Sequence, residues 1–187
     1  MQDKREEIMT AAREAAQAHG YNGLNFRTLA AATGVKSASV HYHFPTKADL
    51  GAELARRYRE EAAATLAEIS AATADPARRL RQYAGVFRRA LENQNRMCMC
   101  GLMAAEIDDL PDAVKTEVKA FGDANIAWLA GVLGAAHPGR SAKANKQHAL
   151  AVFAAISGAQ LIARSRGDAS VYDAIVNAYR ASGLIPG

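Results

Sequence analysis

The sequence predicts an all-α chain. Alanine supplies 43 of the 187 residues, and apolar positions recur at helical spacing between Gly and Pro breakers. Alanine is the best helix former and a poor strand former, while the β-branched and aromatic residues that favour strands are scarce. The length suits one or two domains with a sizeable core. Five prolines and 14 glycines exclude a collagen-like or low-complexity chain.

About nine helices follow from the breakers. The first runs from about residue 3 to 18, with Ile8, Ala11, Ala12 and Ala15 along one stripe and Gly20 as its stop. Asn25 can cap a short second helix, 26–33, which Gly34 ends. Ser37 can cap a third, 38–44, before Pro45. Thr46-Lys47-Ala48-Asp49 is a capping-box pattern opening a long helix to about Ala72. Asp75-Pro76 pairs a cap with proline at the first helical position, and that helix runs to about Asn93. A short Met- and Cys-rich segment spans 97–108. Pro111 starts a helix to about Gly134, Ser141 caps another to about Arg166, and Asp168 caps the last, 169–182.

The net charge is +4, a mild excess that fits an anionic partner. Two cysteines, Cys98 and Cys100, cannot staple a secreted scaffold, and residues 1–7 show no apolar signal core. A cytoplasmic location is expected. The longest charge-free stretches are under 18 residues and are interrupted by Asn125, Ser157 and Gln160, so no membrane span is expected.

Residues 15–48 contain no Asp or Glu but hold Arg27, Lys36, Lys47, His19, His41 and His43. The charge excess is therefore expected in the short-helix region. Helix, tight Gly34 turn, short helix is the spacing of a helix-turn-helix. Steps of about 100° place Val40 and Phe44 on one side of the third helix and Ala38 and Tyr42 opposite, flanked by Ser39 and His41. One side can anchor while the other enters a major groove. Lys47 sits at the positive end of a capped helix, where lysine is mildly unfavourable. A phosphate there would reverse that sign, because backbone N–H groups and the ammonium would converge on one anion. A plain solvated lysine is the alternative.

These residues resemble the TetR family of bacterial transcriptional regulators. The match comprises Gly20-Tyr21, Asn25 to Ala30, Gly34-Val35 and the run Ser37 to Leu50, within about residues 5–55. The family often has Tyr where His41 stands. The resemblance implies a DNA-binding domain over 1–46 and a ligand-binding and dimerisation domain over 47–187. It implies a dimer on a palindromic operator, released by a small ligand. By position it implies backbone contacts from Thr28, Ser39, Tyr42 and Lys47, and base-edge contacts from Ser37, Ala38 and His41. Arg27 and Lys36 are further phosphate candidates on charge alone.

No cofactor or metal is expected. On a helix His41 and His43 diverge by about 200°, a poor metal pair. Cys98 and Cys100 can be buried filler beside Met97, Met99 and Met103. Alternatively Cys98 senses electrophiles, since family members resembling the Cys98–Glu106 spacing use a cysteine so, and Arg96 could lower its pKa. No phosphate loop, His-Glu-x-x-His or nucleophile elbow is present. A thiol enzyme using Cys98 with His137 or His148 is the enzymatic alternative. A ligand-free architectural DNA-binding protein is another, which about 130 residues beyond the short helices argue against.

The helices after Asp75 are expected to enclose a mostly apolar pocket for an unidentified inducer. Its expected lining is Tyr83, Phe87, Met97, Cys98, Met103, Phe121, Trp128 and Phe153, with Met99 a further candidate. Gln94, Glu106, Asn125 and Gln160 are its polar candidates. Helix 141–166 is apolar on two sides, one through Leu150, Phe153, Ala154, Ser157 and Leu161, the other through Ala151, Ala155, Gly158 and Ile162. A helix apolar on two faces needs two burial partners, so a homodimer through 141–166 and 169–182 is expected, with Val171, Ile175 and Ala178 adding a stripe. The helix from Thr46 is the expected link between ligand and DNA.

Overall fold

The computed structural model describes residues 4–186. They form nine α-helices and no strand: α1 (Lys4–His19), α2 (Phe26–Thr33), α3 (Ser37–His43), α4 (Lys47–Ala72), α5 (Pro76–Glu92), α6 (Met99–Ala105), α7 (Asp112–Ala136), α8 (Ala142–Arg166) and α9 (Ala169–Ala181). Single 3-10 turns lie at Tyr21–Gly23 and Ile107–Asp109. Residue 3, the expected start of the first helix, lies outside the described residues.

Most helix starts are local side-chain events. Asn25 Oδ1 accepts the N–H groups of Arg27 (3.0 Å) and Thr28 (3.1 Å). Thr46 Oγ1 accepts the Asp49 N–H at 3.1 Å while Asp49 Oδ2 accepts the Thr46 N–H at 3.0 Å, closing the expected box. Asp75, Ser141 and Asp168 cap α5, α8 and α9. Ser37 does not cap α3. Lys36 adopts the extended cap conformation and its carbonyl accepts the Ser39 N–H, so Ser37 becomes the first helical residue and no side chain caps this end. The Met- and Cys-rich segment contains α6, and α7 begins one residue after Pro111.

The chain divides into two compact units. The first comprises the residues up to Glu60 together with Met99–Phe121. Its core joins Ile8, Ala12 and Ala16 of α1, Leu29 of α2, Val40 and Phe44 around α3, Leu50 of α4, Met99 and Met103 of α6, and Val114 of α7, all buried. α1 packs on α2, α3 and α6. Ion pairs tie α1 to α4: Arg5 to Glu53 at 2.9 Å, and Arg57 to Glu6.

The second unit comprises Glu61–Cys98 and the residues from Gly122 onward. α5 buries Leu80, Tyr83, Phe87 and Leu91, and α8 packs on both α5 and α9. The core side of α8 is Asn145, Ala149, Val152, Ile156, Ala159, Gln160 and Ala163. The expected division of α8 is thus corrected. Leu150 and Leu161 of one expected side are 46% and 53% exposed, and Ile162 of the other is 46% exposed. On α9 the buried residues are Tyr172 and Val176, and the Val171, Ile175 and Ala178 stripe expected for pairing stays outside this core. The charge expectation is also corrected. The first unit holds 11 Lys and Arg against 12 Asp and Glu, the second 12 against 7. Local acid depletion around α2 and α3 is offset by Glu and Asp elsewhere in their own unit.

Candidate nucleic-acid interface

α3 is short, so its sidedness decides what it can do. Val40 is fully buried and Phe44 is 3% exposed, which pins one side to the first unit's core. Gly34 at φ 66 ends α2 in the left-handed conformation, where its N–H reaches the Ala30 and Ala31 carbonyls. That turn sets the angle at which α3 leaves. The opposite side of α3 projects outward: Tyr42 is 83% exposed, Ser37, Ala38 and His41 are exposed, and Ser39 is half-buried. The His41 ring meets the Phe26 ring edge-on at 4.7 Å, so α2 orients it. His43 instead meets Tyr42 at 5.2 Å. The two imidazoles serve different neighbours.

Arg27 and Thr28 are exposed on the first turn of α2, and Lys36 is exposed ahead of α3. Lys47 is half-buried at the first position of α4, its Nζ 4.3 Å from the centroid of the Tyr21 ring. A cation over an aromatic face is held there without losing its charge. Burial pushes the Tyr21 phenol up, which keeps that ring neutral beneath the ammonium.

Tyr21 has a second, unexpected partner. Glu106 Oε2 accepts its backbone N–H at 2.6 Å, and Oε1 accepts from Asn22 Nδ2 at 3.2 Å. Gly20 makes room for this carboxylate: at φ 67 it has the left-handed backbone, and a Cβ there would lie 2.2 Å from Glu106 Oε2. The partners are 85 residues apart in sequence, and Gly20-Tyr21 was the only local signal. Glu106, expected among the ligand-orienting groups, is therefore engaged with the turn that supports Lys47.

Comparison with known proteins agrees with this geometry. Residues 8–54 match the family model of bacterial regulatory proteins, tetR family. A solved TetR-family transcriptional regulator from Agrobacterium tumefaciens is 35% identical, with 92% of this chain and 93% of that one covered and a TM-score of 0.83. The chain belongs to the TetR family. A TetR transcriptional regulator from Legionella pneumophila is 27% identical over 97% of this chain and 98% of its own, with a TM-score of 0.89. The reduced form of NemR from E. coli shares the fold at 18% identity, covering 96% of each chain, with a TM-score of 0.80. No curated protein matches the chain significantly. This TetR-family chain is a DNA-binding transcriptional regulator, so a regulator rather than a thiol enzyme is the correct class. Among the described residues no helix is long and apolar enough to cross a membrane.

The residues expected to line a TetR-family inducer pocket divide between the units. In the second unit Tyr83 forms a cluster, stacked on Trp128 at 5.4 Å and edge-on to Phe87 at 5.3 Å. Its hydroxyl donates to buried Asn125 Oδ1 at 3.0 Å. Burial holds the Tyr83 phenol well above its ordinary range, with the Cys98 thiol adding to the shift. Trp128 Nε1 donates to Ser70 at 2.9 Å. Gln160 is engaged at both ends of its amide: Oε1 accepts the Cys98 N–H at 3.0 Å and Nε2 donates to the Phe87 carbonyl at 2.8 Å. Met97 and Cys98 are buried, and Phe153 is half-buried. Gln94 is exposed and bonded to Arg96. Met103 and Phe121 belong to the first unit, where Phe121 meets Tyr58 at 5.6 Å. Two surface grooves of the second unit, of about 310 and 420 Å³, are lined by none of these eight residues.

Proposed function

We propose that this regulator is a repressor that binds a palindromic operator as a homodimer and is released by a small apolar or electrophilic inducer. The observation that carries the DNA reading is the sidedness of α3, with Val40 and Phe44 inward and Ala38, His41 and Tyr42 outward. A helix so presented reads base edges from its N-terminal end. In this reading Ser37, Ala38 and His41 contact bases. Arg27, Thr28, Lys36, Ser39, Tyr42 and Lys47 contact the sugar-phosphate backbone and set register. Residues 1–46 form the DNA-binding domain and 47–187 the ligand-binding and dimerisation domain.

Dimerisation is proposed through α8 and α9. Leu150, Leu161 and Ile162 are large apolar side chains left about half exposed on a helix whose other side is already core. Two-fold symmetry then places the recognition helices about one DNA turn apart, ~34 Å. The inducer is proposed to engage the second unit around Tyr83, Phe87, Trp128 and Phe153, with Met97 and Cys98 completing the site. Release requires the inducer to favour a state that no longer fits both half-sites. Selection of bound duplexes from a random DNA pool, followed by footprinting, tests the reading. It is supported by a single inverted repeat and overturned by binding without sequence preference.

A further inference from the structure

The second unit carries the chain's cationic excess although α2 and α3 lie in the first. Much of that excess converges on one groove of about 420 Å³ between α5 and α9. Arg81 and Arg88 line it from α5 and Arg180 from α9. The acidic side chain within it is Asp173, and that carboxylate is already committed: Arg88 Nε donates to both its oxygens, at 2.7 and 3.0 Å. Arg88 is further held by Glu92. Arg88 therefore neutralises Asp173, which leaves Arg180 with no acidic partner among the described residues and Arg81 with only a loose one.

Arg180 carries the decisive detail. Its Nη1 donates to Asn177 Oδ1 at 3.2 Å, but its Nε is shielded from solvent without a hydrogen-bond partner. The guanidinium meets an amide oxygen but no carboxylate among the described residues, and an oxyanion in the groove would supply the missing counter-charge. Arg81 is about half exposed and only 3.8 Å from Asp75, a loose surface pair it can leave. Gly85 and Ala84 keep the floor low, and Val176 adds an apolar wall. The Tyr172 hydroxyl is spent on the Ala84 carbonyl at 2.8 Å, so it does not compete for the occupant. The volume falls within the usual range of small-molecule sites.

We infer that the α5–α9 groove binds a small organic oxyanion, a carboxylate or phosphate monoester, through Arg81 and Arg180. The site is distinct from the aromatic cluster on the other side of α5, where Leu80, Tyr83 and Phe87 are buried. It also lies on a different side of α9 from the Val171, Ile175 and Ala178 stripe, so pairing through that stripe leaves it open.

The test is calorimetric titration of the full chain with benzoate, phenyl phosphate and inorganic phosphate at constant ionic strength, with chloride as the control anion. Benzoate or phenyl phosphate should bind saturably at one site per chain, and inorganic phosphate reports how much the oxyanion alone contributes. The paired change Arg81→Gln and Arg180→Gln should weaken binding at least about ten-fold. Lys143→Gln together with Arg166→Gln, an equal charge change at exposed positions of α8, should leave it intact. Asn177→Asp, which places a carboxylate in the groove, should also abolish binding and serves if the paired variant does not fold. Saturable binding that survives these groove changes would place the anion elsewhere, for instance at the phosphate-reading face of α3, and would overturn the inference. Absence of saturable binding by both organic anions would do the same.

Discussion

The Glu106 carboxylate accepts the backbone N–H of Tyr21 at 2.6 Å, joining the turn after α6 to the turn after α1. Both residues lie in the first unit, and Lys47 rests on the ring of the same tyrosine. The support for one expected phosphate contact thus passes through a residue 85 positions away. Glu106→Ala should cost about 1.5–3 kcal/mol of stability, the scale of a hydrogen bond to a charged acceptor. Glu106→Gln keeps an acceptor and should cost less. Gly20→Ala should be at least as harmful as Glu106→Ala, since its Cβ meets the carboxylate at a left-handed backbone position. Urea unfolding of the three variants provides the ranking.

Lys47→Ala should weaken binding to all duplexes alike and reduce the salt slope of log K by about one unit. His41→Ala should instead change base preference, because its ring is oriented by Phe26 on the outward side of α3. Binding titrations from low to moderate salt distinguish the two. An unchanged slope for Lys47→Ala removes it from the phosphate contacts.

Glu53 sets an acid limb. Burial raises its pKa, but hydrogen bonds from Arg5 and Arg56 outweigh that and hold the carboxyl below its ordinary range. A group depressed in the folded state contributes stability above its unfolded pKa, about 4.3, and loses it as pH falls through the folded value. Stability should therefore decline as pH falls from about 5 toward 3. Glu53→Gln should be less stable near neutrality and flatter across that window. Thermal midpoints across the pH range report both.

The wild-type chain should have twice its 19.9 kDa mass by light scattering at micromolar concentration. Leu161→Glu should yield monomer, because it places a charge on an apolar side chain that is 53% exposed and outside the core. Its helix content should be retained. A wild-type monomer contradicts the dimer.

Cys98 is 6% exposed and Cys100 1% exposed. If Cys98 is the sensor, it should react with a maleimide much faster than Cys100, and its alkylation should release operator DNA. Cys98→Ser should then hold its operator at an electrophile dose that releases wild type. Release at the same dose removes Cys98 from the sensor role and leaves it as core filler.

What the sequence determined by itself is what local chemistry controls. Asn25, the Thr46–Asp49 pair, Asp75, Ser141 and Asp168 each act within three residues, so helix starts and the all-α class were legible from spacing. The sidedness of α3 was legible too, since Val40 and Phe44 were its larger apolar side chains among small or polar neighbours. Tertiary structure alone decided the rest. α8 is rich in Ala and apolar around most of its circumference, so its periodicity suggested two sides, and neither is the one that α5 and α9 cover. Gln160 finds its partners on Phe87 and Cys98, and Glu106 finds Tyr21, across separations that no helical period encodes. A buried polar group takes whatever partner the packing brings within reach, and that partner is set by the whole chain.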